Sequence, residues 1–455
     1  MEVMTANLIA SSHRRLVLGL GETGRSVVRH FQTHGIPCVA ADSRASLQED
    51  AGLSELLSGV DAFFGDLPLD LADDVEEIIA SPGVPLDHPL LLRAAENGVR
   101  IRGDIDLFME QANAPVIGIT GSNGKSTVTA LVGHLLTTSG VAVAIGGNLG
   151  KPALDLLDDA VACYVLELSS FQLERAEPLG LAVATVLSLT PDHLDRHGSM
   201  ATYQQAKHRI FRGARTVVSN SQDPLTAPLL AVGTRTVNWR LGEPDLGEFG
   251  IRLQAGARWF SHGFELLAPV SDFPLAGEHN IANALAALAL GHAAGVEAEQ
   301  LVAGLSTFEG LSHRTTVVGE GAGVRFVDDS KATNVGATQA ALNGLAPEGS
   351  LVLIAGGQPK GQDFAPLRDL VARYCRGVVL LGEASEALAT VLTGSAPVVV
   401  ADSMEDAVAK AVDVAEPGDT VLLSPACASF DMFDGYAARG RAFSDAVARH
   451  LEALA

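Results

Sequence analysis

Short apolar runs recur along this chain, each closed by a polar turn and most followed by a stretch with apolar residues at helical spacing. The runs are RLVLGL, PCVAAD, EEIIAS, PVIGIT, AVAIGG, CYVLELS, LAVATVLSL, TVVSN, SLVLIAGG, GVVLLG, PVVVAD and DTVLLSP. Between them lie patterns such as 126–139 and 282–294, apolar at i, i+3, i+4 and i+7. A continuous apolar run suits a strand buried on both faces, and strand–helix alternation builds largely parallel sheets covered by helices. The pattern therefore predicts an α/β fold. At 455 residues the chain is too long for one core, so several domains are expected.

Three blocks suggest themselves. The first, 1–104, opens with LVLGLGETG. The second, 105–311, begins at PVIGITGSNGKST and ends after a long helix and a turn near Gly310. The third, 312–455, carries its own run of strands. Residues 235–275 are poorer in helical periodicity and richer in Trp, Phe and Gly, and read as a small antiparallel extension. No repeat or low-complexity tract is visible.

Charge narrows the partners. With 31 Lys and Arg against 54 Asp and Glu, the net charge is −23. Such a surface argues against binding nucleic acid or an anionic membrane, but not against small anions held by a few local cations. No run of about 18 apolar residues occurs, so no membrane span is expected. His13, Arg14 and Arg15 precede LVLGLG, but that stretch breaks at once into glycines and Glu22, which reads as a strand rather than a signal peptide. The four cysteines lie far apart with no C-x-x-C. Neither disulfides nor a zinc site is expected, and a reducing cytoplasm fits. No long unmatched apolar face argues for an oligomer, so a monomer is expected.

Two glycine-rich turns carry the chemistry. Gly19-Leu-Gly21-Glu-Thr-Gly24 follows a strand and opens a helix, and Asp42 ends the next apparent strand. This is the dinucleotide fingerprint, and a nicotinamide dehydrogenase, another nucleotide diphosphate or a bare tight turn all fit it. In Gly121-Ser-Asn-Gly124-Lys125-Ser126-Thr127 the first glycine of a strict Walker A motif is replaced by Ile119. Backbone N–H groups there can still cradle phosphate, with Lys125 on its outer oxygens and a hydroxyl on Mg²⁺.

Polar residues cluster after later strands. Glu167 ends the apolar strand YVLE. A carboxylate there is costly unless it meets a cation, either a metal or a salt-bridge partner. His193 sits just past LAVATVLSL, where α/β sites collect ligands. Lys207 follows in a helical stretch and by itself reads as a surface lysine. Asp328-Asp329-Ser330-Lys331-Ala332-Thr333-Asn334, GGQPKGQDF with Lys360, and SPACASFDMF each follow a strand of the third block, as if on one binding face. Arg314, just before them, could grip a phosphate with two N–H groups.

Taken together, G-x-N-G-K-[ST], LELSSFQLE, TPDHLDRH…K, GEHNxxN, HR, DDSKATN, GGxxKGxDF and SPACAS occur in one order across nearly the whole chain. In this the chain resembles the Mur ligases of peptidoglycan synthesis. DDSKATN resembles the member that joins D-glutamate to UDP-N-acetylmuramoyl-L-alanine (UDP-MurNAc-L-Ala). The D-N-P-R type motif of the diaminopimelate- or lysine-adding member and the histidine-rich stretch of the alanine-adding member are not found. Folylpolyglutamate synthetase shares only the central pattern.

The resemblance implies a Rossmann-like N-terminal domain for the UDP-sugar, a P-loop ATPase-like central domain, and a Rossmann-like C-terminal domain for the amino acid. It implies that Gly121, Asn123, Gly124, Lys125, Ser126, Thr127, Asn280, Asn283, Arg314 and Asp329 hold ATP. Gly21, Thr23, Asp42, Ser43, Ser81, Gly83, Asn148 and His193 would hold the UDP substrate. Lys331, Thr333, Lys360, Ser429 and Tyr436 would hold the glutamate. Ser126, Glu167 and His193 would hold Mg²⁺, with two ions expected. Lys207, carbamylated by CO₂, would add an anion beside the metal. Lys125, His193 and Lys207 would be the catalytic set, and His193 is a candidate to take the proton of the incoming amine. The reaction implied passes through an acyl phosphate.

Three differences from the family form stand out. Lys360 lies in GGQPKG rather than after an acidic–glycine pair, Tyr436 stands where Phe is usual, and His193 and Lys207 are one residue closer. A dehydrogenase would leave GSNGKST and DDSKATN unexplained. A non-catalytic scaffold would be expected to have lost Lys125, Glu167, His193 or Lys207, and none is missing. Selection of L- rather than D-glutamate stays open.

Overall fold

The computed structural model describes residues 14–230, 232–345 and 347–454. His13, in the basic run considered above, lies outside the described residues. The chain folds as two compact units. The first comprises the described residues up to Thr120, with Val141–Ala184 and Ala206–Arg215; the second comprises Gly121–Gly140, Thr185–Gln205 and the chain from Thr216 on.

In the first unit, β1 (Arg15–Leu18), β2 (Cys38–Asp42), β3 (Asp61–Phe64), β4 (Glu77–Ala80) and β5 (Arg100–Arg102) form a sheet in the order β3-β2-β1-β4-β5. Every pair in it is parallel. The order reverses at β1, so the crevice beyond its C-terminal end is the place where such a sheet binds ligands. Leu16, Leu18, Ile78 and Ala80 pack into a core with Leu90, Leu91 and Ala94 of the helix Pro89–Glu96. The same unit holds β6 (Val116–Thr120), β7 (Val143–Gly147) and β8 (Cys163–Glu167), with β8 paired in parallel to both others. Then β9 (Val183–Val186) follows where the chain passes to the second unit.

In the second unit, β10 (Thr216–Asn220) and β11 (Arg235–Trp239) pair in parallel, and β11 meets β12 (Phe249–Gln254) through Trp239 and Phe249. The strands β12, β13 (Ala257–His262) and β14 (Glu265–Pro269) are antiparallel. The extension expected at 235–275 is therefore antiparallel only from β12 on. Tight turns at 255–256 and 263–264 allow hairpins, whereas the longer connections on either side of β11 allow a parallel return.

A six-stranded sheet follows, made of β15 (Thr316–Gly321), β16 (Val324–Asp328), β17 (Leu351–Gly356), β18 (Cys375–Leu381), β19 (Val398–Val400) and β20 (Thr420–Leu423). Its order is β15-β16-β20-β17-β18-β19. Only β15 runs antiparallel to its neighbour. Leu351, Leu353 and Ala355 enter one core cluster, while Val352 and Ile354 enter another with Phe443 of the helix Tyr436–Leu454. This is the alternation of a strand covered on both faces. All twelve apolar runs picked out above are strands. No helix among the described residues is long and apolar enough to cross a membrane.

Candidate active site

The turn after β1 enters the helix Glu22–Thr33 through Gly21. Asp42, at the end of β2, faces that turn: its Oδ2 accepts from the Leu20 N–H at 2.7 Å and its carboxylate takes three bonds from Arg44 at 2.7–2.9 Å. Burial pushes the Asp42 carboxyl up, but the Arg44 side chain and the two backbone donors outweigh it and hold the group below its usual range. Ser81 Oγ donates to Gly19 O at 2.7 Å. Together these groups line a cleft of about 650 Å³ that includes Gly21, Thr23, Asp42, Ser43, Ser81, Gly83 and Asn148. These are seven of the eight residues expected on the UDP side. The eighth, His193, belongs to the second unit. Arg44, His88 and Gln172 line the cleft too; nothing in their spacing marked them.

Asn148 lies close to Glu167. Its Nδ2 donates to Glu167 Oε1 at 2.6 Å, and its backbone N–H donates to Glu167 O at 2.9 Å. Glu167 is buried at the end of β8, as expected. Lys207 lies on the helix Met200–His208 and is only 2% exposed. Its Nζ is 3.4 Å from Thr120 Oγ1, whose hydroxyl donates to Leu168 O at 2.6 Å. The polar helix had suggested a surface lysine; the fold turns this position inward instead.

In the second unit, Gly124 (φ 82°) caps the helix Lys125–Thr138 in the left-handed region. A Cβ there would come within 2.6 Å of Asn283 Oδ1, so only glycine fits. Lys125 Nζ donates to Gly121 O at 2.9 Å and to Ser122 O at 3.0 Å, folding back over its own loop. Ser122 Oγ bonds to Thr190 O and N at 2.9 and 3.0 Å, and Asn123 N donates to Ser188 Oγ at 3.0 Å. These bonds fix the backbone of the loop. Arg314 Nη2 donates to Ser126 Oγ at 2.8 Å.

These groups edge a cavity of about 350 Å³ lined by Asn123, Gly124, Thr127, Asn280, Asn283, Arg314, Asp329 and Lys331. Gly121, Lys125 and Ser126 are not on its wall. Trp239, His279 and Asn220 are, and sequence reasoning passed over them; a Trp at a strand end was the one available cue. His193 adopts φ 54° and its N–H donates to Asp192 Oδ1 at 3.0 Å.

The three polar loops of the third block follow β16, β20 and β17, which are neighbours in the sheet. Their clustering at strand C-terminal ends is the arrangement expected of a binding face. Asp329 accepts from Ser424 Oγ at 3.0 Å, and burial pushes its carboxyl up to about 7 against that bond and the charge of Arg314. Lys331 Nζ sits 3.9 Å above the centre of the Tyr436 ring, a cation–π contact that Tyr provides as well as Phe. Thr333 N donates to Lys331 O at 2.8 Å. Lys360 takes a left-handed backbone (φ 49°), and Ser429 is buried. Asn334 joins this face to the phosphate loop: its Nδ2 is 3.1 Å from Asn123 Oδ1 and 3.2 Å from Asp192 Oδ2. It lies within DDSKATN but had no expected role.

Among the described residues no three His, Cys, Asp or Glu side chains gather as a metal site. Mg²⁺ needs no such cage. It is a hard cation that takes few protein oxygens beside substrate phosphates; in the second unit the Ser126 and Thr127 hydroxyls are donors of that kind, and in the first unit, taken by itself, so is the buried Glu167 carboxylate.

Three family models match the chain: the Mur ligase MurD-like N-terminal domain over 13–103, the Mur ligase middle domain over 119–291, and the Mur ligase glutamate ligase domain over 313–427. The chain belongs to the Mur ligase family and has its three-domain α/β architecture. It is 49% identical over 443 residues to the UDP-N-acetylmuramoylalanine–D-glutamate ligase of Pseudomonas aeruginosa, covering 97% of this chain and 99% of that protein. The enzyme of the same name from Hahella chejuensis is 46% identical over 96% of this chain and 98% of its own length. Among solved structures, the UDP-N-acetylmuramate–alanine ligase of Thermotoga maritima has the same fold, with a TM-score of 0.61 at 19% identity over 96% of this chain and 99% of that one. MurF of Acinetobacter baumannii matches with a TM-score of 0.59 at 18% identity, over 86% and 87%.

Proposed function

We propose that this chain is an ATP-dependent ligase that adds D-glutamate to UDP-MurNAc-L-Ala, releasing ADP and phosphate, in the cytoplasmic steps of peptidoglycan synthesis. The observation that carries this reading is the 49% identity to the Pseudomonas aeruginosa D-glutamate ligase across 97% of the chain. The domains are taken as 1–104 for the UDP-sugar, 105–311 for ATP and 312–455 for the amino acid, and the working unit as a monomer.

A carboxylate is a poor electrophile, so it must be activated. The terminal carboxylate of UDP-MurNAc-L-Ala attacks the γ-phosphorus of ATP, the bond to ADP breaks, and an acyl phosphate results. Lys125 and the N–H groups of the phosphate loop stabilise the spreading phosphoryl charge, since positioning and electrostatics supply most of such catalysis. Ser126, Glu167, His193 and a carbamylated Lys207 would hold Mg²⁺, taken as two ions, which would neutralise phosphate charge. The burial of Lys207 supports a role for it in the site, because a lysine without one is normally solvated.

Asn280, Asn283, Arg314 and Asp329 hold ATP. The Asp42 turn and Asn148 hold the UDP substrate. Lys331, Thr333, Lys360, Ser429 and Tyr436 hold glutamate, whose amine attacks the acyl carbon, loses a proton to a base such as His193, and expels phosphate. Loops 329–334 and 424–430 exclude the water that would hydrolyse the intermediate.

Phosphate release is the test, with UDP-MurNAc-L-Ala, Mg²⁺ and bicarbonate present and D-glutamate, L-glutamate, meso-diaminopimelate or L-lysine offered in turn. Release with D-glutamate alone is expected. Release with L-glutamate alone would reverse the stereochemistry, and release with none would overturn the reading.

A further inference from the structure

We propose that Arg439 is a positioning residue for the amino-acid substrate, its guanidinium fastening the three strand-end loops into one surface and keeping that surface positive. The inference deepens the function proposed above and rests on it. Arg439 lies on the helix Tyr436–Leu454 and is 1% exposed, the bulkiest side chain so deeply buried among the described residues.

All three of its nitrogens donate, and every acceptor belongs to a loop of the amino-acid face. Nε donates to Ser330 Oγ at 3.0 Å and Nη2 to Ser330 O at 2.8 Å, within the DDSKATN loop. Nη2 also donates to Cys427 O at 3.1 Å and Nη1 to Ala428 O at 3.2 Å, within SPACAS. Nη1 reaches Gly356 O at 3.4 Å, where GGQPKG begins. A planar fork of five N–H groups can hold three backbones at once; an ammonium or an amide cannot.

The neighbouring geometry is built around this fork. Gln358 and Ala428 exchange backbone bonds at 2.9 and 3.0 Å, zipping two of the loops together. Gly357 (φ 127°) permits it: a Cβ there would lie 2.2 Å from Ala428 O and 3.1 Å from Arg439 Nη1. Ser330 Oγ in turn donates to Tyr436 O at 2.8 Å, so the fork also sets the helix turn whose Tyr436 ring carries Lys331.

The charge is the second half of the inference. Among the described residues Arg439 forms no ion pair; its acceptors are all neutral oxygens. Burial pulls it down to about 10, which still leaves it charged at neutral pH. Its direct partners are dipoles, with the charges of Asp431 and Asp328 farther off, and a buried cation held mainly by dipoles is costly. A dicarboxylate arriving on loops that already carry Lys331 and Lys360 is the anion that such a charge would favour, and its two negative charges gain most where water is excluded.

The experiment compares Arg439→Gln and Arg439→Lys with the wild type, measuring KM separately for D-glutamate, ATP and UDP-MurNAc-L-Ala, with melting temperature as the check on folding. Loss of the fork and the charge in Arg439→Gln is expected to raise the glutamate KM by about 30-fold or more, with the other two within about threefold. Arg439→Lys, which keeps the charge but not the fork, is expected to fall between. A glutamate KM unchanged in a folded variant, all three KM values rising together, or failure of both variants to fold would reduce Arg439 to a structural residue and overturn the proposal. Wild-type turnover separates the two claims: no turnover with D-glutamate would remove the proposed function and this inference with it, while normal turnover with an unmoved glutamate KM in the variants would remove this inference alone.

Discussion

Changing Asn334 to Asp alters one atom and tests whether the loop of DDSKATN must lock onto the phosphate loop. Asn334 does two jobs. Its Oδ1 accepts from the Ala337 N–H at 2.9 Å, capping the helix Val335–Leu345, and its Nδ2 donates to Asn123 Oδ1 and Asp192 Oδ2. Asp caps a helix as well as Asn does, so the first job survives. The second is inverted, because an oxygen now faces two oxygens. The lost bonds are worth roughly 1 kcal/mol to Asn123 and roughly 1.5–3 to the charged Asp192. A flip of the Asn123 amide recovers the first. The new carboxylate pair, 3.2 Å apart in the native geometry, would repel by roughly 5 kcal/mol at an effective dielectric constant near 20. Separation of the loops relieves most of that, so a net cost of at least about 2 kcal/mol falls on the locked state, or about 30-fold in kcat/KM for glutamate. Phosphate release at varied glutamate is the assay, with melting temperature as the check on folding. Asn334→Ser, which retains a capping oxygen without the repulsion, should lose less. An Asn334→Asp enzyme within threefold of wild type would refute the reasoning.

Lys125→Ala, in a protein that still melts normally, should lower kcat by about 10²–10³-fold or more and slow the transfer of ¹⁸O from the substrate carboxylate to phosphate in step; transfer at the wild-type rate would remove Lys125 from the phosphoryl-transfer step. Asp104 is fully buried, with one oxygen on Gln172 and the other without a hydrogen-bond partner, and burial, partly offset by Gln172, lifts it to about 6. The fold then holds a proton that the unfolded chain has released, so stability falls as pH rises from about 4 to about 6. Asp104→Asn should flatten the melting temperature across that window, and an unchanged slope would show that other groups control it. Gly147 has φ 93°, and a Cβ there would lie 2.4 Å from Glu167 O. Gly147→Ala should cost at least about 2 kcal/mol, visible as a drop in melting temperature of about 4 °C or more; an equal melting temperature would contradict the geometry.

How much of this was legible in the sequence depended on whether the signal was local. Strands such as LVLIAG announce themselves because both faces are buried and every residue is apolar. The phosphate loop and the turn after β1 are legible because left-handed or crowded backbone demands glycine at fixed offsets. The three polar loops could be grouped because each ends an apolar run, although their adjacency as β16, β20 and β17 needed the sheet order. Arg439 was illegible for the opposite reason: its acceptors, Ser330, Gly356, Cys427 and Ala428, come from separate loops, and no spacing predicts that a helix arginine will turn inward. Lys207 was equally hidden, since a lysine among Gln and His residues has the composition of a solvated face. The parallel setting of β11 escaped because hairpin reasoning rewards short turns, and those flank only the later strands.

The position of Arg439 along the chain has a consequence for biosynthesis. A ribosome makes the phosphate loop at 121–127 more than three hundred residues before Arg439, and it finishes all three amino-acid loops before that arginine as well. The phosphate loop belongs to the same compact unit as those loops, and domains fold as units while synthesis proceeds, so neither surface is complete until the last helix is made. A chain released before that helix would lack the common fastener of its amino-acid loops, and would have little means of committing ATP to bond formation.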